Sequence, residues 1–91
     1  MEFLKWVDKG DYKWRQHDMV GAKEAYIRAL RLEWDADIHC KIGTAKLLTH
    51  DVDGAIETFK KILRIDDTHG KTAVVLGQAY MDKEDFGYNG S

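Results

Sequence analysis

Ninety-one residues set the scale of one small domain, whose core must be simple and efficient. Charged residues make up 33% and hydrophobic ones 44%, which fits a folded helical protein better than a disordered one. A net charge of −2 with both signs interspersed leaves no basic footprint, so no nucleic-acid partner is expected. Cys40 is the sole cysteine, which excludes an intrachain disulfide and a zinc cluster of cysteines.

Five helical stretches are predicted in chain order. The first covers about residues 2–15, where Phe3, Leu4, Trp6, Val7, Gly10 and Trp14 fall on two neighbouring stripes at helical spacing. His17 and Asp18 form a turn, and Asp18 is a good N-cap. A second helix, about 19–33, puts Ala22, Ala25, Tyr26, Ala29, Leu30 and Leu32 on one broad face and leaves Lys23, Glu24, Arg28 and Arg31 on the solvated side. Asp35 and Asp37 bring negative charge to the start of a third helix, about 37–48, where the macrodipole favours it. That helix carries Ile38, Ile42, Ala45, Leu47 and Leu48. His50 and Asp51 repeat the earlier turn. The fourth helix, about 52–65, points Val52, Ala55, Ile56, Phe59, Ile62, Leu63 and Ile65 inward. Asp66, Asp67 and Thr68 supply a turn and an N-cap, and the fifth helix runs to about Lys83. Residues 87–91 read as a loose tail. Proline is absent, so nothing breaks these helices, and their short connections force antiparallel neighbours.

The chain also echoes itself. Gly10, Gly43 and Gly77 recur at spacings of 33 and 34, as do Asp18, Asp51 and Asp85, and Met19, Val52 and Phe86. Ala22 and Ala55, Tyr26 and Phe59, Leu30 and Leu63, and Leu32 and Ile65 are each 33 apart. A period of that size marks stacked supersecondary units. Glycine inside a helix costs about 1 kcal/mol relative to alanine, so its return calls for a packing reason. The expectation is close helix approach, Gly10 against Ala22 and Ala29 and Gly43 against Ala55, with Tyr26 and Phe59 filling the wedge between hairpins. The predicted fold is all-α: repeats at 3–35 and 36–68, then a partial repeat at 69–86 made of one closing helix.

These residues resemble the tetratricopeptide repeat, whose pattern runs aromatic, Leu-Gly, Tyr, Ala-x3-Phe, Pro. The second repeat matches through Ile42-Gly43, Ala55 and Phe59; the first through Trp6, Gly10, Ala22, Tyr26 and Ala29; the third through Leu76, Gly77 and Tyr80. Lys9 departs from the pattern's Leu, Lys13 and Lys46 from its Tyr, and Trp34 and Asp67 from its Pro. Thr-Pro-Leu-His, the ankyrin signature of similar period, is missing. The resemblance implies a right-handed antiparallel helix-hairpin stack. It also implies that the first helix of each hairpin lines a concave groove for an extended peptide or partner helix. On this chain that groove would hold Leu4, Val7, Asp11, Trp14 and Arg15, then Asp37, Cys40, Lys41, Thr44 and Leu48, then Lys71, Val74, Gln78, Met81 and Asp82. Trp and Arg lead among binding hot spots, which makes Trp14 with Arg15 the sharpest choice. Relatives that clamp acidic chaperone tails use five basic or amide groups. The matching positions here are Val7, Asp11, Lys41, Lys71 and Val75, and Asp11 would repel a carboxylate.

Residues of catalytic type are better explained by structure. His17 and His50 sit at hairpin tips a full repeat apart, where nothing makes them converge on a metal. His39 and Cys40 are adjacent and so diverge on a helix, and Cys40 reads as a small apolar residue. Acidic groups such as Asp35/Asp37 and Asp66/Asp67 lie at helix ends, where capping accounts for them. No phosphate loop or metalloprotease motif occurs. The chain is therefore expected to be no enzyme and to need no cofactor and no metal. It carries no signal-peptide pattern, no membrane-length apolar run and no basic amphipathic face, which points to the cytoplasm and to no membrane partner. The expected role is a scaffold or adaptor module binding a protein or peptide. Two alternatives are a homodimer through the last helix, whose apolar groups cannot all face the preceding hairpin, and the repeat portion of a longer multidomain protein.

Overall fold

In the computed structural model, which describes the backbone of residues 2–89 and the side chains of 2–84, five helices follow one another without a strand. They are α1 (Glu2–Arg15), α2 (Met19–Leu32), α3 (Ala36–Leu48), α4 (Val52–Ile65) and α5 (Gly70–Asn89). Each packs mainly on its sequence neighbours, and α3 also touches α5. The result is an all-α stack of antiparallel helix hairpins. Its Cα extents are 48 × 30 × 16 Å. The thin dimension is that of two helix layers: an interaxial distance of about 10 Å plus a Cα radius of about 2.3 Å on each side.

The two hairpin turns are copies of each other. His17 N–H donates to Trp14 C=O and Asp18 N–H to Lys13 C=O, both at 2.9 Å; His50 and Asp51 repeat this on Leu47 and Lys46 at 3.1 and 2.8 Å. These are Schellman closures. Each histidine occupies the left-handed position, with φ of 63° and 70°, where glycine is more usual. The next residue then caps the following helix. Asp18 accepts from Gly21 N–H at 2.9 Å and Asp51 from Gly54 N–H at 3.0 Å. A Cβ on Gly21 or Gly54 would run into the capping carboxylate. That glycine pair, also 33 apart, is a part of the echo that helical periodicity does not explain.

The core forms two clusters. Ala22, Tyr26, Ile38 and Ile42 are buried together, with Phe3, Val7, Trp14 and Leu30 packed against them. Cys40, Ala55, Ile56, Phe59, Ile62 and Ala79 form the other, flanked by Leu47, Val52, Val75 and Leu76. Here the expected glycine contacts need correction. A Cβ on Gly10 would stand 2.6 Å from Tyr26 Cδ1, and one on Gly43 2.9 Å from Phe59 Cδ1. Each glycine is the seat of the aromatic ring in its own hairpin. From it each ring also reaches the next hairpin: Tyr26 clusters with Ile38 and Ile42, Phe59 with Ala79. The rings therefore join hairpins as well as close them.

Two apolar residues expected inside are outside. Leu32 and Ile65 are exposed because each falls in the final turn of its helix, beyond the neighbour that would cover it. α5 begins at Gly70, capped by His69 and not by Thr68: His69 Nδ1 accepts from Thr72 N–H at 3.3 Å, while Thr68 donates to Asp66. The helix also continues past Lys83 to Asn89, through the first three residues of the segment expected as a tail. Residues 90 and 91 lie outside the described ones. Lys83 Nζ, 2.9 Å from Asp53 Oδ1, ties this extension back to α4.

Candidate functional site

The first helices of the successive hairpins lie in a row held by two ionic links. Asp11 on α1 meets Lys41 on α3, Nζ to Oδ1 3.1 Å. Asp37 on α3 meets His69 and Lys71 at the start of α5, at 2.9 and 3.8 Å. His69 then passes its other ring nitrogen to the Thr72 hydroxyl at 2.6 Å, so the His69 ring bridges the cap of α5 to α3. The His69 bond, offsetting slight burial and joined by the Lys71 charge, holds the Asp37 carboxyl below its usual pKa.

Between α1 and α3 a cleft of about 350 Å³ is lined by Asp11, Trp14, Arg15, Tyr26 and Lys41. Its floor is the Tyr26 ring, which stands on Gly10 and is fully buried. Tyr26 Oη donates to Asp11 Oδ1 at 2.5 Å. Trp14 leans on the same ring at 6.3 Å between centroids and 52° between planes, and Lys41 Nζ lies 5.5 Å above it, in reach of a cation–π attraction. Arg15 is exposed at the rim, with a carboxylate bond to none of the described residues. The site thus combines a half-buried aromatic wall, an exposed guanidinium, and an ammonium braced by a carboxylate.

Electrostatics follow from this bracing. Burial alone would raise the Asp11 carboxyl, but the Tyr26 and Lys41 hydrogen bonds and the charges of Lys41 and Arg15 lower it on balance. Burial, then the Asp11 hydrogen bond and charge, push the Tyr26 hydroxyl well above its ordinary value of 10.0. A raised folded pKa contributes stability that is whole below the unfolded pKa and is lost as pH rises through the folded one. Wild type should therefore lose melting temperature above about pH 10, and Tyr26→Phe should flatten that loss. At neutral pH the same variant should cost about 1 kcal/mol, since Asp11 loses a donor. Thermal melts of both proteins across that range check it. An equally steep alkaline fall in the variant would place the sensitivity elsewhere.

Of the residues expected on the groove, Asp11, Trp14 and Arg15 meet in this cleft, with Lys41 beside them. Val7 packs partly into the core next to it, and Leu4 is exposed one turn away. Cys40 is corrected: at 4% exposure it belongs to the Phe59 cluster and offers a ligand nothing. Thr44 spends its hydroxyl on the Cys40 carbonyl at 3.0 Å. Lys71 joins the Asp37 link, whereas Val74 and Met81 stand exposed on α5. Gln78 bonds Asp82 along its own helix at 3.1 Å. His69 escaped the sequence reading; its only local signal is Thr72 three residues on, at capping distance. Among the described residues no group of His, Cys, Asp and Glu could hold a metal, and no helix is long and apolar enough to cross a membrane. Compared with models of protein families and with curated proteins, the sequence matches none.

Proposed function

We propose that the chain is a tetratricopeptide-like, non-catalytic interaction module that holds a partner peptide or helix along α1, α3 and α5, as a scaffold or adaptor in a reducing compartment such as the cytoplasm. The observation that carries this reading is the cleft at Trp14. Its aromatic wall is set in place by packing on Tyr26, its ammonium is oriented by Asp11, and Arg15 at the rim has no carboxylate partner among the described residues. Trp and Arg side chains are what binding hot spots are made of, and ordering Trp14 in advance lowers the entropy cost of association. The partner suited to it presents an apolar side chain for Trp14 and a hydrogen-bond acceptor for Arg15.

An unbiased pull-down with wild type, Trp14→Ala and Arg15→Glu tests the proposal. A partner retained by wild type and lost from both variants, with helical circular dichroism intact, is the expected result. Loss of helicity together with binding in Trp14→Ala, and unchanged binding in Arg15→Glu, would reduce Trp14 to a core residue.

A second reading, self-association through α5, is favoured by one contrast. Gly10 and Gly43 are each covered by a ring, whereas a Cβ on Gly77 would meet nothing within 4 Å. Around Gly77, Val74, Tyr80 and Met81 are exposed. In the two complete hairpins the equivalent face is covered by the following helix, and here a second copy's α5 would cover it. Sedimentation at two concentrations should then show a mass increase that Met81→Glu removes. A monomer at both concentrations rules this reading out.

A further inference from the structure

Across α3 from the Trp14 cleft lies a different one, of about 310 Å³, between α2, α3 and α4. Lys41 faces the first cleft and His39 the second, as two residues two apart on a helix should. The floor of the second cleft is apolar, made by Ile27, Leu30 and Ile42. Its rim is cationic: Arg31 comes from α2, Lys46 from α3 and Lys61 from α4. No carboxylate lines it. The groove lysines Lys41 and Lys71 each meet an aspartate. Among the described residues these three cations meet none, and Lys46 Nζ donates only to the Thr58 hydroxyl, at 3.1 Å. Thr58 is itself buried and gives its proton to the Gly54 carbonyl at 2.8 Å, so the lysine keeps two donors for something else.

His39 adds a second, independent sign. Its Nδ1 is buried and has no hydrogen-bond partner, a condition that native structures rarely leave unexplained. Burial, with the charges of Lys46 and Lys61 added, holds its pKa below the ordinary value. The charged groups that act on it are thus Lys46 from its own helix and Lys61 from α4, both of one sign; Arg31 lines the same cleft, and the Trp34 ring stands edge-on to it at 6.3 Å between centroids. Unpaired cations gathered from three helices around an orphaned ring nitrogen are the complement of an oxyanion. Arginine supplies the planar fork and the lysines the point charges that such an anion takes. The volume is at the lower end for small-ligand cavities, and the isoleucine and leucine floor suits an apolar stem. A dianion answers three cations better than a monoanion does.

We propose that this cleft is a second ligand site, which takes a phosphomonoester carried on an apolar stem. The phosphoryl oxygens accept from Arg31, Lys46 and Lys61 beside the His39 ring, and the stem covers Ile27 and Leu30. This goes beyond the interaction groove and is independent of it, since none of its residues lines the Trp14 cleft.

The test uses phenyl phosphate, inorganic phosphate and benzyl alcohol as probes at low ionic strength, where screening is weak. Backbone amide and His39 ring signals are followed by NMR in wild type, Lys61→Ala and Arg31→Ala. Both altered side chains are exposed, and circular dichroism checks that the variants fold. Phenyl phosphate should give saturable shifts at His39, Lys46 and Thr58 and raise the apparent pKa of His39. Its affinity should be about tenfold weaker in each variant, as loss of one charged hydrogen bond implies. Inorganic phosphate should bind more weakly than phenyl phosphate, and benzyl alcohol should not saturate. Shifts that never saturate, or equal affinity in wild type and both variants, overturn the site. Inorganic phosphate binding as tightly as phenyl phosphate overturns the apolar stem.

Discussion

Phe59→Ala should remove about 3–5 kcal/mol of stability, the range for truncating a buried aromatic. The ring is fully buried, sits on Gly43, and belongs to the cluster that contains Ala55, Ile62 and Ala79. It therefore touches both helices of the second hairpin and the closing helix. The side chains next to it include Ala55, Ala79 and Gly43, which cannot reach into the space that the ring leaves. Total stability for a chain of this size is about 5–14 kcal/mol at 0.05–0.15 kcal/mol per residue, so the variant loses about a fifth of it or more. Each kcal/mol moves the melting temperature by about 4–8 °C in a domain of this length. Urea or thermal denaturation followed by circular dichroism reads the effect. A loss under about 1 kcal/mol would mean that α3, α4 and α5 are held together by something other than this ring.

Gly43→Ala and Gly77→Ala should move stability in opposite directions, although the echo places both glycines at the same repeat position. A methyl at Gly43 would overlap the Phe59 ring, and over-packing of this kind costs about 1–3 kcal/mol. A methyl at Gly77 meets nothing within 4 Å, so only helix propensity acts, and alanine should gain about 1 kcal/mol. Gly10→Ala should follow Gly43→Ala, because Tyr26 stands there in the same way. Denaturant midpoints of the three variants settle the signs. A stabilised Gly43→Ala would show that the ring can tilt away at little cost. A destabilised Gly77→Ala would show that the α5 face is covered in solution, in favour of self-association.

The contrast between these glycines shows how far sequence carried the fold. Helix number, order and turns were legible because local chemistry writes them: apolar spacing near 3.6 residues, Asp18, Asp35 and Asp51 as caps, and no proline. The likeness of the first two hairpins was legible because Asp18 and Asp51, and Gly10 and Gly43, are the same types 33 residues apart. Which knob enters which hole was not, since periodicity marks a face and leaves open the partner across it. Gly10 was accordingly expected against alanines, and it receives Tyr26.

The candidate site divides in the same way. Trp14, Arg15 and Asp11 could be singled out because the resemblance assigns the first helix of a hairpin to the groove. Cys40 was assigned there too, yet α3 is nearly encircled by α2, α4 and α5, and its turn at Cys40 faces the Phe59 cluster. The links Asp11–Lys41 and Asp37–His69 span 30 and 32 residues. No local pattern announces a contact between side chains that far apart.

By itself, then, the amino-acid order determined the all-α class, the order of the five helices and the capped turns, because these depend on interactions within a few residues. Tertiary structure alone decided that the conserved-spacing glycines are ring seats at Gly10 and Gly43 but open surface at Gly77. It also decided that Lys41 is braced while Arg31, Lys46 and Lys61 meet no carboxylate among the described residues. Those outcomes depend on what stands opposite in space, and only packing sets that.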